Sequence, residues 1–374
     1  MDLKYFYNLA RKNLLFWVSR KIDYPLCPPD MVQVNFTFRC NLRCKMCSMH
    51  EQMNRLKGEG RQIEIDSVTF GKLIKETKEM GVDNILFIGG EPFLRKDLFE
   101  LISFARSLGL NTIIVTNGVL LNEDNIRKCI DSGVDWLSIS LDAASEASFS
   151  RIRGEKVFGK ITDNIDRLNL IKKELSKEFP KIVSVCTIMD ENLEELLDVV
   201  ELCKKENIER VIFQPVVINN IDQTKRGDES APLIRRERLT ALDSSIDKLI
   251  AYKKKSPENY ALIANDFKNL NMIKRYFRGK ASIRQRPCYA GYNRLQIVQE
   301  GKVYFCVSQD EYVANFGDVK KDSLKDLWFS KEAKKYRKLI KKCKSPCLQW
   351  CSYRDAFIEF RDIFVKRRLF SKKH

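Results

Sequence analysis

Six short apolar runs, VQVNFTF, NILFIGG, NTIIVTNG, DWLSISLDA, KIVSVCTIM and ERVIFQPV, follow one another through residues 31–216. Longer amphipathic segments separate them, among them DSVTFGKLIKETKEMG, RKDLFELISFARSLG, NEDNIRKCIDSG and NLEELLDVVELCKKEN. Several of these open on Asp or Asn and close at Gly, the punctuation of helix caps. Strands joined in parallel need a helical crossover, so this alternation constrains the chain to an α/β sheet. Six repeats of the unit predict a partial (β/α)6 TIM-like barrel. In such folds chemistry gathers where strands end and loops begin.

The rest of the chain reads differently. Residues 217–280 are charged, contain the hydrophilic DQTKRGDESAP, and read as a connector with one or two helices. Beyond it, LQIVQEGKVYFCV predicts a hairpin about Glu-Gly. SLKDLWFSKEAKKYRKLIKKC predicts one helix or two, completing a small α+β domain over 281–356. Residues 1–30 hold a basic amphipathic helix with Leu3, Tyr7, Ala10, Leu14 and Trp17 at helical spacing, and Arg11, Lys12 and Arg20 elsewhere around it. The tail 357–374 sets Phe357, Phe360 and Phe364 beside a basic run. Two readings of these ends stay open: helices packed on the body, or peripheral membrane contact.

No run approaches the ~20 apolar residues needed to cross a bilayer. Arg11, Lys12 and Asn13 interrupt the N-terminal apolar stretch, which is therefore not read as a signal peptide. The expectation is a cytoplasmic protein whose twelve cysteines bind metal or pack as small hydrophobes. A net charge of +17 favours anionic partners. The basic residues are scattered rather than interleaved with aromatics in one module, so nucleic acid is not expected among them. With only His50 and His374 present, neither a His base nor a His-rich zinc site is expected.

The segment FRCNLRCKMCSMHE places Cys40, Cys44 and Cys47 directly after the first strand. A structural zinc site closes with four ligands, and a disulfide pairs two thiols. Three thiols suit a metal site that keeps one position open. CNLRCKMC resembles the CxxxCxxC signature of the radical SAM superfamily. That resemblance implies a [4Fe-4S] cluster on Cys40, Cys44 and Cys47, with S-adenosyl-L-methionine (SAM) chelating the fourth iron. It sets Met46 against the adenine. GGEP (Gly89, Gly90, Glu91, Pro92) would meet the methionyl amino group, although Glu91 could equally cap the next helix. Asn117 lies in TNG, where a plain strand-end turn is the other reading. Ser140 and Asp142 in LSISLDA suit a ribose diol, with Ala143 where the family commonly has glycine. Arg153 would pair with the SAM carboxylate, or stand solvated at the surface.

Cys288, Gly301 and Cys306, followed by Cys343, Cys347 and Cys351, resemble the SPASM domain or its shorter Twitch form, which carry auxiliary clusters. The full SPASM pattern uses seven cysteines; five here imply one auxiliary [4Fe-4S] cluster, with the choice of four ligands open and a zinc site the alternative. Cys27, Cys129, Cys186 and Cys203 read as buried apolar fillers.

The resemblance implies reductive cleavage of SAM to a 5′-deoxyadenosyl radical that abstracts hydrogen, with reduced ferredoxin or flavodoxin as donor. The auxiliary cluster would accept an electron or ligate substrate. The sequence shows nothing like a leader-binding domain before Cys40, which favours a small or lipid-linked anionic substrate. The alternatives are a ribosomal-peptide maturase of the SPASM type and, in another class, a non-catalytic iron–sulfur electron carrier or redox regulator.

Overall fold

The computed structural model describes residues 3–58, 64–217, 233–306, 315–344 and 346–349. The six apolar runs form parallel strands: β1 (Met31–Thr37), β2 (Asn84–Gly89), β3 (Asn111–Thr116), β4 (Trp136–Ser140), β5 (Lys181–Ile188) and β6 (Arg210–Pro215). Each pairs in parallel with the next. The crossovers contain α3 (Ser67–Glu79), α4 (Leu98–Ser107), α5 (Glu123–Asp131), α6 (Glu146–Arg153), α7 (Phe158–Glu174) and α8 (Leu196–Lys205). Caps sit where the sequence puts them. Asp66 accepts from the Thr69 amide at 2.7 Å to start α3, and Asn122 from Asn125 at 2.9 Å to start α5. A further helix, α2 (Met49–Gly58), leads away from the cysteine loop and was not anticipated.

Side chains alternate across β1. Val32, Val34 and Phe36 turn to the helical layer, where the Phe36 ring lies 4.9 Å from Phe70 and 5.5 Å from Phe87. All three rings are essentially inaccessible to water, and each contributes about 2–3 kcal/mol of apolar burial. Gln33 and Asn35 fall on the opposite face by the period of two.

Three features depart from the expected organisation. The connector holds three helices among its described residues, α9 (Leu239–Lys253), α10 (Pro257–Leu262) and α11 (Phe267–Tyr276). It is part of the body. The Asn265 side chain exchanges two 2.7 Å hydrogen bonds with the Phe213 backbone, imitating a neighbouring strand at the β6 edge. DQTKRGDESAP lies outside the described residues. Secondly, the expected hairpin forms as β7 (Arg294–Ile297) and β8 (Val303–Tyr304), but β7 pairs in parallel with β1. The sheet runs β6-β5-β4-β3-β2-β1-β7-β8. Leu295 and Ile297 stand opposite Val32 and Val34 and extend the same apolar layer, while the Arg294 guanidinium donates to Gln33 at 3.0 Å on the other face. Of one final helix or two, the structure has two, α12 (Leu324–Phe329) and α13 (Lys331–Lys341), because Ser330 leaves the helical conformation and caps α13. Arg337 of α13 is buried among the rings of Trp328, Phe305 and Tyr292, and donates to the carbonyls of Gly291 and Trp328. Burial pulls its guanidinium down to about 10.

The third departure concerns only the face by which α1 (Leu3–Ile22) packs. It packs on the body through Lys12, Phe16, Ser19 and Arg20, while Leu14 and Trp17 of the apolar stripe face outward. The tail 357–374 lies outside the described residues. Among the described residues no helix is long and apolar enough to cross a membrane.

Candidate active site

The loop after β1 carries Cys40, Cys44 and Cys47, and the C-terminal ends of three other structural elements hold it. The amides of Gly90 and Glu91 donate to the carbonyls of Thr37 and Arg39, both at 2.7 Å, joining the β2 end to the loop. Here the glycines serve the protein's own backbone. A Cβ on Gly90 would stand 2.1 Å from the Arg39 carbonyl oxygen, and Gly89 has φ +131 with Thr37 O against it. The β3 end contributes Asn117, whose side chain donates to Asn41 Oδ1 at 2.9 Å. From α6, the Ile152 carbonyl accepts from the Lys45 amide at 3.0 Å. His50 is spent on the Leu42 carbonyl at 2.8 Å.

Glu91 ties two of these ends together. Its carboxylate accepts from Thr116 Oγ1 and the Asn117 amide, both at 2.9 Å, and from the Phe93 amide. It also caps the 3-10 turn begun by the buried Pro92, one of the two readings left open by the sequence. Burial pushes this carboxyl up to about 7, against those hydrogen bonds and the attraction of Arg153.

Arg153 is buried, not a solvated surface residue. Its guanidinium forms an ion pair with Asp142 and donates to Cys44 Sγ at 3.5 Å. Asp142 is inaccessible to water: one carboxylate oxygen faces Arg153 and the other accepts from the Thr187 amide at 2.7 Å. The geometry thus commits Asp142 to Arg153 and to β5 rather than to a sugar, and leaves the half-buried Ser140 at the strand end. Met46, half-buried, packs on the edge of the core beside Cys40 and Cys44.

The supporting shell contains residues that the sequence did not announce. Asn192 donates to the Asp142 and Thr187 carbonyls at 2.6 and 2.8 Å. Glu195 accepts from the Ala144 amide and from Ser145 and Ser148 at the start of α6. Both come from the β5–α8 crossover, so no short-range spacing links them to the motifs they hold.

The second thiol group assembles around Cys288, buried between α11 and β7. Burial pushes its thiol up, and the charges of Cys347, Cys306 and Cys343 push the same way, so all four described cysteines lie within electrostatic reach. Cys351 lies outside the described residues. Cys306 leaves β8, one edge of the sheet. Gln349, two residues past Cys347, donates to the Pro215 carbonyl of β6 at 3.2 Å, the other edge. The group therefore stands where the two edges of a curved sheet approach each other. Cys129, Cys186 and Cys203 are core fillers, and Cys27 is half-buried beside Phe16, Tyr289 and Tyr292.

Both groups fit iron–sulfur chemistry. The donors are thiols, which such clusters require. Arg153 Nε is buried without a hydrogen-bond partner among the described residues, leaving a donor for an anionic group at the first site. Among the described residues no three metal-binding side chains are close enough to hold one single ion.

A sheet of parallel strands with three thiols in the loop after its first strand and a second thiol group beyond its β7–β8 edge carries the donors of a two-centre iron–sulfur protein. The model of the radical SAM superfamily matches residues 34–203, and that of the SPASM iron–sulfur cluster-binding domain matches residues 288–353. The chain carries a radical SAM domain and a SPASM-type iron–sulfur domain, the layout of a radical SAM enzyme. Its cofactors are those of the two domains: SAM with a [4Fe-4S] cluster, and an auxiliary iron–sulfur centre. Among curated relatives, the PqqA peptide cyclase of Bradyrhizobium diazoefficiens is 26% identical over 348 residues, covering 87% of this chain and 80% of that protein. The PqqA peptide cyclase of Gluconobacter oxydans is 37% identical over 129 residues, about a third of either chain. In fold the chain is similar to Streptococcus suis SuiB bound to the precursor peptide SuiA, with TM-score 0.61 at 16% identity over 87% of this chain and 70% of that one. It is also similar to anSMEcpe with bound AdoMet and a peptide, with TM-score 0.60 at 18% identity over 92% and 99%.

Proposed function

We propose that this enzyme matures a peptide: it abstracts a hydrogen atom from one residue of a peptide substrate and forms a new bond or an oxidised side chain. The observation that carries the reading is the similarity to a peptide cyclase along most of both chains, 87% of this one and 80% of that one. It favours a peptide over the small anionic molecule anticipated from sequence. The same similarity argues for catalysis rather than electron carriage alone.

In this reading Cys40, Cys44 and Cys47 hold the first cluster, and four of Cys288, Cys306, Cys343, Cys347 and Cys351 hold the auxiliary one. Bound SAM and the reduced first cluster supply the hydrogen-abstracting radical. The chain's own residues do the rest. Arg153 offers a buried cation beside Cys44 for the SAM carboxylate, and Asp142 fixes its position. The backbone of Gly89 and Gly90 presents the β2 end to the methionyl group. Met46 and Ser140 flank the nucleoside. The sheet's open side, bordered by the second thiol group, admits the substrate. A reduced ferredoxin or flavodoxin serves as donor, drawn by the basic surface.

The test uses anaerobically reconstituted protein, SAM, dithionite and short peptides encoded beside its gene. 5′-Deoxyadenosine should accumulate, and one peptide should lose two hydrogens by mass. Deoxyadenosine formation with every peptide mass unchanged, and a small metabolite consumed instead, would return the substrate to the small-molecule class.

A further inference from the structure

A surface helix ordinarily turns its apolar stripe to the body and its charges to water. Helix α1 follows this only in part: Phe16 is buried, but Tyr7, Leu14 and Trp17 face outward. Its docked face is Lys12, ion-paired to Asp30 at 2.7 Å and Asp83 at 3.0 Å, with Phe16, Ser19 and Arg20, which donates to the Cys288 carbonyl at 2.9 Å. On the outer face Tyr7 is 67% exposed, Leu14 51% and Trp17 44%. The strip continues past the helix. Tyr24 in the following turn lies 5.9 Å from the ring of Phe329 in α12, and both are exposed. Lys341 of α13 reaches Asp23 in the same turn at 2.7 Å. Among the described residues, eight of the thirteen exposed large apolar side chains belong to α1, this turn or α12–α13, so the patch is no scatter of single residues.

Basic residues frame it. Arg11, Lys21, Lys338 and Lys342 are exposed, and Lys21 Nζ stands 5.4 Å over the Trp17 ring. We propose that this face docks on an anionic membrane surface, with α1 lying in the headgroup plane. Three features choose lipid over other occupants. Tyr and Trp with lysines around them are the side chains that sit well between headgroups and acyl chains. The apolar residues lie along the outer side of one surface helix, which a fluid interface accommodates without a matching groove. A second copy of the chain would bring like charges face to face. Because Arg20 anchors α1 to the Cys288 backbone, docking would hold the auxiliary thiol group towards the membrane.

The experiment floats full-length reconstituted protein with vesicles of phosphatidylcholine alone, or of phosphatidylcholine and phosphatidylglycerol in equal parts. The protein is expected to float with the anionic vesicles only, and to be released as salt screens the lysines. The double variant Leu14→Asp/Trp17→Asp changes two exposed side chains. It should keep its iron content and its 5′-deoxyadenosine formation, while its floated fraction falls on the order of tenfold. Wild-type protein that never floats overturns the proposal. So does a double variant that floats as well as wild type, which would put binding elsewhere in the chain. A wild-type dimer that the variant dissolves, with no flotation of either, assigns the face to self-association and overturns it equally.

Discussion

Glu91 and Arg153 are ionisable side chains buried in the body, and each predicts a measurable cost. Glu91 is raised from its ordinary 4.5 to about 7 by burial. Between those values the folded protein holds a proton that the unfolded chain has released, so stability falls as pH rises through that window. In the variant Glu91→Gln this dependence disappears. The difference in unfolding free energy, wild type minus variant, should therefore decline by ~3 kcal/mol across it, read from urea melts at a series of pH values. A difference that stays flat would mean the carboxyl is ionised throughout. For Arg153, the variant Asp142→Asn strands a buried cation and should cost about 3–5 kcal/mol in the same melts. Arg153→Gln removes a cationic donor from Cys44 Sγ. It should shift the first cluster to a more negative potential in an EPR-monitored redox titration, since hydrogen bonds to sulfur raise cluster potentials. Residues such as Asn117 were visible in the sequence because they end apolar runs. Asn192 and Glu195 were not, since they reach the site from a different crossover and nothing local marks them.

At the scale of elements, the cysteine loop depends on close backbone approach between the ends of β1 and β2. Gly90→Ala would drive a Cβ into the Arg39 carbonyl, which cannot move aside as a flexible side chain can. The loop must shift, at a cost of about 3 kcal/mol or more. The expected result is iron lost from the first site while the second stays loaded, read by iron and sulfide analysis with EPR. Alternation of strand and helix made the six-strand layer legible from sequence, because period-two burial and capping residues are local signals. The orientation of α1 was not legible. A helical stripe tells which side chains share a face, but not which face meets the body; that was settled by Lys12 finding Asp30 and Asp83, and Arg20 finding Cys288.

For the whole molecule, two clusters predict about eight irons per chain after anaerobic reconstitution, two four-iron centres. The triple variant Cys40→Ala/Cys44→Ala/Cys47→Ala and the variant Cys288→Ala should each fall to about four, and by different spectroscopic signatures. An unchanged count in Cys288→Ala would exclude that thiol as a ligand. The pairing of β7 with β1 was beyond reach of the sequence, since contacts across more than two hundred and fifty residues leave no periodic trace. It has a mechanical consequence. The strand that launches the first cysteine loop is flanked on one side by the strand that follows Cys288, so both thiol groups are bolted to adjacent rails of a single frame. Their separation is set by the sheet and cannot be tuned by a hinge. Cutting the chain ahead of residue 288 would leave β1 with a raw edge rather than release a self-sufficient barrel.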